Sequence, residues 1–184
     1  MLAALRVLRL SVPVALLANL AASATRAAEK AAGQPIGESS RRYAVHIAHD
    51  VTAGLLAELL DGARERLTEP RCQRVLDDFA GADGRPLRDR LAETGRAPED
   101  YLGLVVFYDG RKHPRCGQKG ILAVANAGSR VVWVCPEQMY ARARSNPVWA
   151  EATLIHEALH TLGLGENPPS SQEITSQIIR RCRY

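Results

Sequence analysis

Between residues 50 and 67 apolar side chains recur at Val51, Leu55, Leu56, Leu59, Leu60, Ala63 and Leu67. Steps of three and four put them on one face of a helix, and Pro70 stops it. Shorter helices are expected over residues 72–79 and 86–93, with a turn at 81–84, so this half of the chain reads as helical. The period then changes. Leu104-Val105-Val106-Phe107-Tyr108 is a β-branched and aromatic run ended by Asp109-Gly110, the signature of a strand. Residues 120–126 and 130–135 are two more, joined by Ala127-Gly128-Ser129 as a short hairpin loop. The polar stretch 109–119, with Pro114 and Cys116, reads as an exposed loop. Asn146 is a good N-cap and Pro147 suits the first helical position. Val148, Trp149, Ala152, Ile155, Leu159 and Leu162 give the helix they open a broad apolar face, and both Trp133 and Trp149 are expected in the core. Gly163 is placed to end this helix in the left-handed conformation. Pro168-Pro169 blocks its continuation, and a last helix is expected over 171–182. The pattern is α+β: a small sheet packed on the 147–162 helix, with flanking helices.

Composition narrows the class. A chain of 184 residues suits one compact domain. Aromatics make up only 5% of it, so the core must rest on Leu, Val, Ile and Ala. Residues 1–24 read as a signal peptide: Arg6 and Arg9 precede an uncharged apolar stretch from Leu10 to Leu20, followed by Ala22-Ser23-Ala24 as an A-x-A cleavage site. That stretch is short for a membrane span. Residues 25–42, rich in Ala, Gly and Ser, read as a linker, and the domain is assigned to 43–184. Removing Arg6 and Arg9 lowers the formal charge from +4 to about +2, which leaves no strong basic stripe for a nucleic acid. The four cysteines, with an export signal, point to two disulfides in an oxidising compartment. Of the three connectivities, Cys116–Cys135 and Cys72–Cys182 are preferred: the first closes a short loop between neighbouring strands, the second pins the C-terminal segment to the helical half. A secreted or periplasmic monomer without a membrane anchor is expected.

The candidate chemistry lies at His156-Glu157-Ala158-Leu159-His160. Histidines four apart on a helix present both imidazoles to one side, so two nitrogens can share a zinc ion. Glu157 then stands beside the metal, where it can take a proton from a zinc-bound water. A shuffled chain of this composition would hold about 0.01 such matches. His46, His49 and His113 are weaker candidates, and Tyr108, Tyr140 and Tyr184 could each polarise a substrate carbonyl.

These residues, followed by Thr-Leu-Gly-Leu-Gly, resemble the zincin superfamily of metallopeptidases over roughly residues 100–184. The resemblance implies one Zn2+ per chain, Glu157 as general base, and a peptide or protein substrate whose amide bond is hydrolysed. Two branches compete for the third ligand. The metzincin pattern H-E-x-x-H-x-x-G-x-x-H is matched at Gly163, but Glu166 stands at the last position and no methionine follows. The gluzincin pattern N-E-x-x-S-D is partly matched by Gln172-Glu173-Ile174-Thr175-Ser176-Gln177. Glu173 is the favoured third ligand and Glu166 the alternative. Glu173 also completes a capping box with Ser170, and Glu166 could instead orient a histidine. Ala123-Val124-Ala125-Asn126 is the expected cleft strand, able to pair with an extended peptide. A non-catalytic zinc-binding protein and a zinc hydrolase acting on another substrate class stay open.

Overall fold

Helix formation in this chain is governed by the stripe that each segment can bury. The computed structural model describes residues 42–183, so the leader, nearly all of the expected linker and Tyr184 lie outside the described residues. Helix α1 (Asp50–Thr68) buries Leu56, Leu59, Leu60, Ala63 and Leu67, while Val51 stays in solvent. Two single turns follow, α2 (Pro70–Gln73) and α3 (Val75–Asp78), where one helix was expected. Helix α4 spans Leu87–Ala92. A 3₁₀ segment then occupies Pro98–Leu104, which takes Leu104 and Val105 out of the expected strand.

Four short strands form one mixed sheet: β1 (Ala44–His46), β2 (Val106–Asp109), β3 (Ala123–Ala125) and β4 (Val131–Val134). Their spatial order is β1-β2-β4-β3. The first three run parallel, while β3 pairs antiparallel with β4, Val124 lying opposite Trp133. Alternation then divides the side chains. Phe107, Val132 and Val134 are fully buried under the helices. On the other face His46, Tyr108, Trp133 and His113 stack in a row, with ring centroids 5.0, 5.2 and 6.0 Å apart. Trp133 is therefore half-buried in this row rather than enclosed in the core.

The C-terminal half supplies α5 (Pro136–Ser145), α6 (Pro147–Thr161) and α7 (Ser171–Cys182), making an α+β domain. Helix α6 packs on α1, α5, α7 and β3. It buries Leu154, Ile155 and Leu159 completely, each contributing roughly 1.5–3 kcal/mol, so groups mounted on it sit on a rigid support. Opposite Gly62 on α1, the Glu151 carboxylate of α6 fills the space a Cβ would take, 2.6 Å from it. That carboxylate accepts a 2.6 Å bond from Arg66, whose other arm donates to the Cys182 carbonyl at 2.9 Å. One arginine thus ties α1, α6 and α7 together.

Both disulfides have the preferred connectivity, Cys72–Cys182 and Cys116–Cys135, and among the described residues no cysteine is free. They suit an oxidising, exported environment. No helix among the described residues is long and apolar enough to cross a membrane.

Candidate metal centre

The motif histidines are placed by the way α6 starts and stops. The Asn146 side chain accepts from the Trp149 N–H at 3.0 Å, capping the first turn as expected. At the other end Gly163, with φ +104°, donates to the His160 carbonyl at 2.8 Å, and Leu164 donates to the Leu159 carbonyl at 3.1 Å. Those two bonds, with Leu159 and Leu164 both buried, constitute a Schellman motif. The Arg90 guanidinium lies against this glycine. The reversal turns residues 164–166 back across the face that carries the histidines.

His156 and His160 lie buried with their Nε2 atoms 2.9 Å apart. Each is oriented through its other nitrogen. His160 Nδ1 is 2.7 Å from the Leu164 carbonyl oxygen, so Nδ1 donates there and Nε2 is turned towards His156 and Glu166. His156 Nδ1 is 2.9 Å from the Thr175 hydroxyl on α7. Glu166 Oε1 stands 3.4 Å from His156 Nε2 and 3.3 Å from His160 Nε2. His156, His160 and Glu166 are the group among the described residues whose ligand atoms could hold a metal ion. Tetrahedral zinc with bonds of 2.0–2.1 Å separates its ligand atoms by about 3.3 Å. The observed triangle of 2.9, 3.3 and 3.4 Å matches that size, so the donors fit the metal that the motif implies.

The shifts at His156 and Glu166 also suit a metal. Burial is the main influence on His156 and lowers its pKa; the proximity of His160 acts in the same direction and Glu166 opposes it. Hydrogen bonding to His156 leads in holding the Glu166 carboxyl down to about 2, aided by the charge of both histidines and by the Ser171 hydroxyl. Neutral imidazoles and an ionised carboxylate are the forms that bind metal. Glu157 is different. Burial, and then the Glu166 charge, push it up to about 8, while the Ala125 backbone N–H and the positive charge of Arg115 pull the other way. A bound cation would favour its ionised form.

Glu173, the favoured third ligand from the sequence, is not brought to the histidines. It is solvent-exposed, and its carboxylate accepts from the Ser170 backbone N–H at 2.8 Å and the Ser170 hydroxyl at 2.7 Å, completing the capping box of α7. The alternative, Glu166, is the carboxylate brought to them. Those local bonds commit Glu173 to its own helix end, whereas the turn at Gly163 needs only three residues to return Glu166 to α6.

His156, Glu157, His160 and Glu166 line a cleft of about 570 Å³, together with Arg115, residues 120–127, Trp149, Thr153, Leu164, Gly165, Ser171, Gln172 and Thr175. The edge strand β3 forms one wall, as expected of residues 123–126. Trp149 is more than a third exposed and belongs to this wall rather than the core. The remaining candidates lie elsewhere. His46 and Tyr108 stack on each other, His49 is exposed at the start of α1, and the His113 ring accepts from the Arg115 N–H. Tyr140 contacts Arg144 outside the cleft. Sequence reasoning overlooked Thr175, although it is the one polar member of the buried α7 set Ile174, Thr175, Ile178 and Cys182. It also overlooked Arg115, which carries no signal beyond its charge. Comparison with protein-family models, curated proteins and solved structures gives no match.

Proposed function

We propose that this protein is an exported zinc-dependent peptidase of zincin type, with His156, His160 and Glu166 as the metal ligands and Glu157 as the general base. The observation that carries this reading is the convergence of two histidine Nε2 atoms and one carboxylate oxygen in a triangle of zinc-site size, at the wall of a cleft edged by β3. When bound there, zinc supplies Lewis acidity towards a carbonyl and lowers the pKa of water to roughly 7. The chain's residues provide the rest. Leu164 and Thr175 fix the ring orientations of His160 and His156. Glu157 lies one residue from the first ligand, beside the Ala125 backbone, where it can accept a proton from the attacking water and return it to the leaving amine. Apart from the Ala125 N–H, which the Glu157 carboxylate engages, the outer edge of β3 carries no partner strand and offers main-chain groups to an extended peptide, which favours a peptide over a compact substrate.

The test is a pair of measurements on the purified protein: zinc stoichiometry, and hydrolysis of a generic protein substrate with and without chelator. We expect one zinc per chain and chelator-sensitive cleavage. Glu157→Gln should keep the metal and lose about 10²- to 10⁴-fold in rate, the usual worth of a placed base. Zinc binding undiminished in both His156→Ala and His160→Ala, or full activity in Glu157→Gln, would refute the reading.

A further inference from the structure

The charged side chains that line the cleft are Glu157, Glu166 and Arg115. The two acids belong to the metal centre; the cation does not. Arg115 comes from a 3₁₀ turn, Pro114–Gly117, inside the polar loop 109–119. The loop is not free to drift. Cys116 is bonded to Cys135 at the end of β4. From α5, the Gln138 side chain donates to the Cys116 carbonyl at 2.7 Å and the Gln118 carbonyl at 3.1 Å, and accepts from the Gly120 N–H at 3.0 Å. The backbone N–H of Arg115 donates to His113 Nδ1 at 3.3 Å. Five constraints therefore hold the backbone around one arginine.

Its guanidinium has no ion pair or hydrogen bond among the described residues. The neighbouring acid, Asp109, is taken by Arg111 at 2.5 Å, and residues 111–119 add Lys112 and Lys119 but no acid. The positive charge is felt at the Glu157 carboxyl across the cleft. An exposed, unpaired guanidinium carried on an anchored backbone at a cleft wall can receive a carboxylate, because its N–H groups match two carboxylate oxygens.

We propose that Arg115 is a specificity-determining residue that pairs with a carboxylate of the bound peptide, either an acidic side chain near the scissile bond or a free C-terminus. This rests on the cleft being a peptide site, as argued above. A substrate acid is repelled at the Glu157 and Glu166 end and attracted at the Arg115 end, so the pair would also set the direction in which the chain lies.

The experiment measures binding, so that it does not depend on turnover. The full chain carrying Glu157→Gln and loaded with zinc is titrated with alanine pentapeptides bearing one Glu or one Gln at each position in turn, each as free acid and as C-terminal amide. Trp149 in the cleft wall reports occupancy by fluorescence. We expect at least one Glu peptide, or the free-acid form, to bind about 10-fold or more tighter than its neutral counterpart. A preference confined to one Glu position identifies a side-chain partner; one that follows the free acid identifies the C-terminus. Adding Arg115→Gln should bring that ratio close to one, Arg115→Lys should restore part of it, and Lys112→Gln, outside the cleft lining, should leave it intact. Equal affinities for charged and neutral peptides, or a preference that survives Arg115→Gln, overturn the proposal. Absence of hydrolysis by the unmutated protein, with the binding preference intact, overturns the peptidase reading and leaves the Arg115 pair standing.

Discussion

Replacing Glu166 or Glu173 by Ala should produce opposite signatures, because the two carboxylates do different work within seven residues of each other. Glu166 Oε1 makes two sides of the donor triangle, 3.4 and 3.3 Å from the histidine nitrogens. Groups that merely orient a ligand already cost 10- to 100-fold in metal affinity when removed. Removing a ligand should therefore cost more than about 100-fold. Among the described residues the hydrogen bonds of the Glu173 carboxylate go to Ser170, and losing a cap costs about 1 kcal/mol, a fall of roughly 2–4 °C in Tm for a chain of this length. The assay is zinc titration against a competing chelator, combined with thermal unfolding of the metal-free and zinc-loaded forms. Zinc at 1,000 times its Kd adds about 4.1 kcal/mol to the unmutated protein. On the same scale that is roughly 8–16 °C of Tm. Glu166→Ala should lose most of that increment while its metal-free form melts near the parent. Glu173→Ala should keep the increment from a slightly lower baseline. Equal loss of zinc affinity in both variants, or loss in Glu173→Ala alone, would refute the assignment of Glu166.

Further outcomes follow from other contacts. Thr175→Val removes the hydroxyl that orients His156, and zinc affinity should fall 10- to 100-fold, read by the same titration. Losing the Cys72–Cys182 bond, which spans 110 residues, should cost about 4.8 kcal/mol, against about 3.2 for Cys116–Cys135, which spans 19, on the chain-entropy relation; denaturant unfolding of the paired Cys→Ser variants should rank them in that order. Asp78 is held below the usual carboxylate range chiefly by its hydrogen bonds to Arg181. Its contribution to stability is therefore complete above the ordinary Asp pKa near 3.9 and is lost as pH falls through the lowered folded value. Asp78→Asn should flatten the acid limb of the stability curve, and an unchanged limb would show that the pair is not what titrates there.

What the sequence made legible was mostly local. Asn146-Pro147 and Gly163 mark the two ends of α6 because caps depend on residues within one turn. The α1 stripe shows because its apolar side chains repeat over five turns. Strand β1 was invisible: Ala44–His46 is three residues long and is ordered by pairing with β2 some sixty positions away. Helix α5 was missed because its buried side, Pro136, Met139 and Ala143, is thin and its other residues are mostly polar. Strand β2 starts later than its apolar run suggests because Pro98 opens a 3₁₀ segment that holds Leu104. Glu173 is favoured over Glu166 in the sequence because it falls within a helix, a firmer platform than a loop. The Schellman reversal supplies the loop with a defined path, and its two bonds became evident only once both ends of α6 had been placed in space.

The edge strand β3 also has a consequence for how the protein behaves in solution. An unpaired strand edge invites any extended chain, including another copy of the same protein, and long flat edges seed aggregates. With Ala123–Ala125 in the strand, and positive-φ glycines at Gly120 and Gly128 beyond its ends, the open ladder is only about 10 Å long. That is enough to hold a short stretch of another backbone, yet too little for two copies to zip together. Lengthening this edge by replacing the flanking glycines would therefore trade solubility for grip.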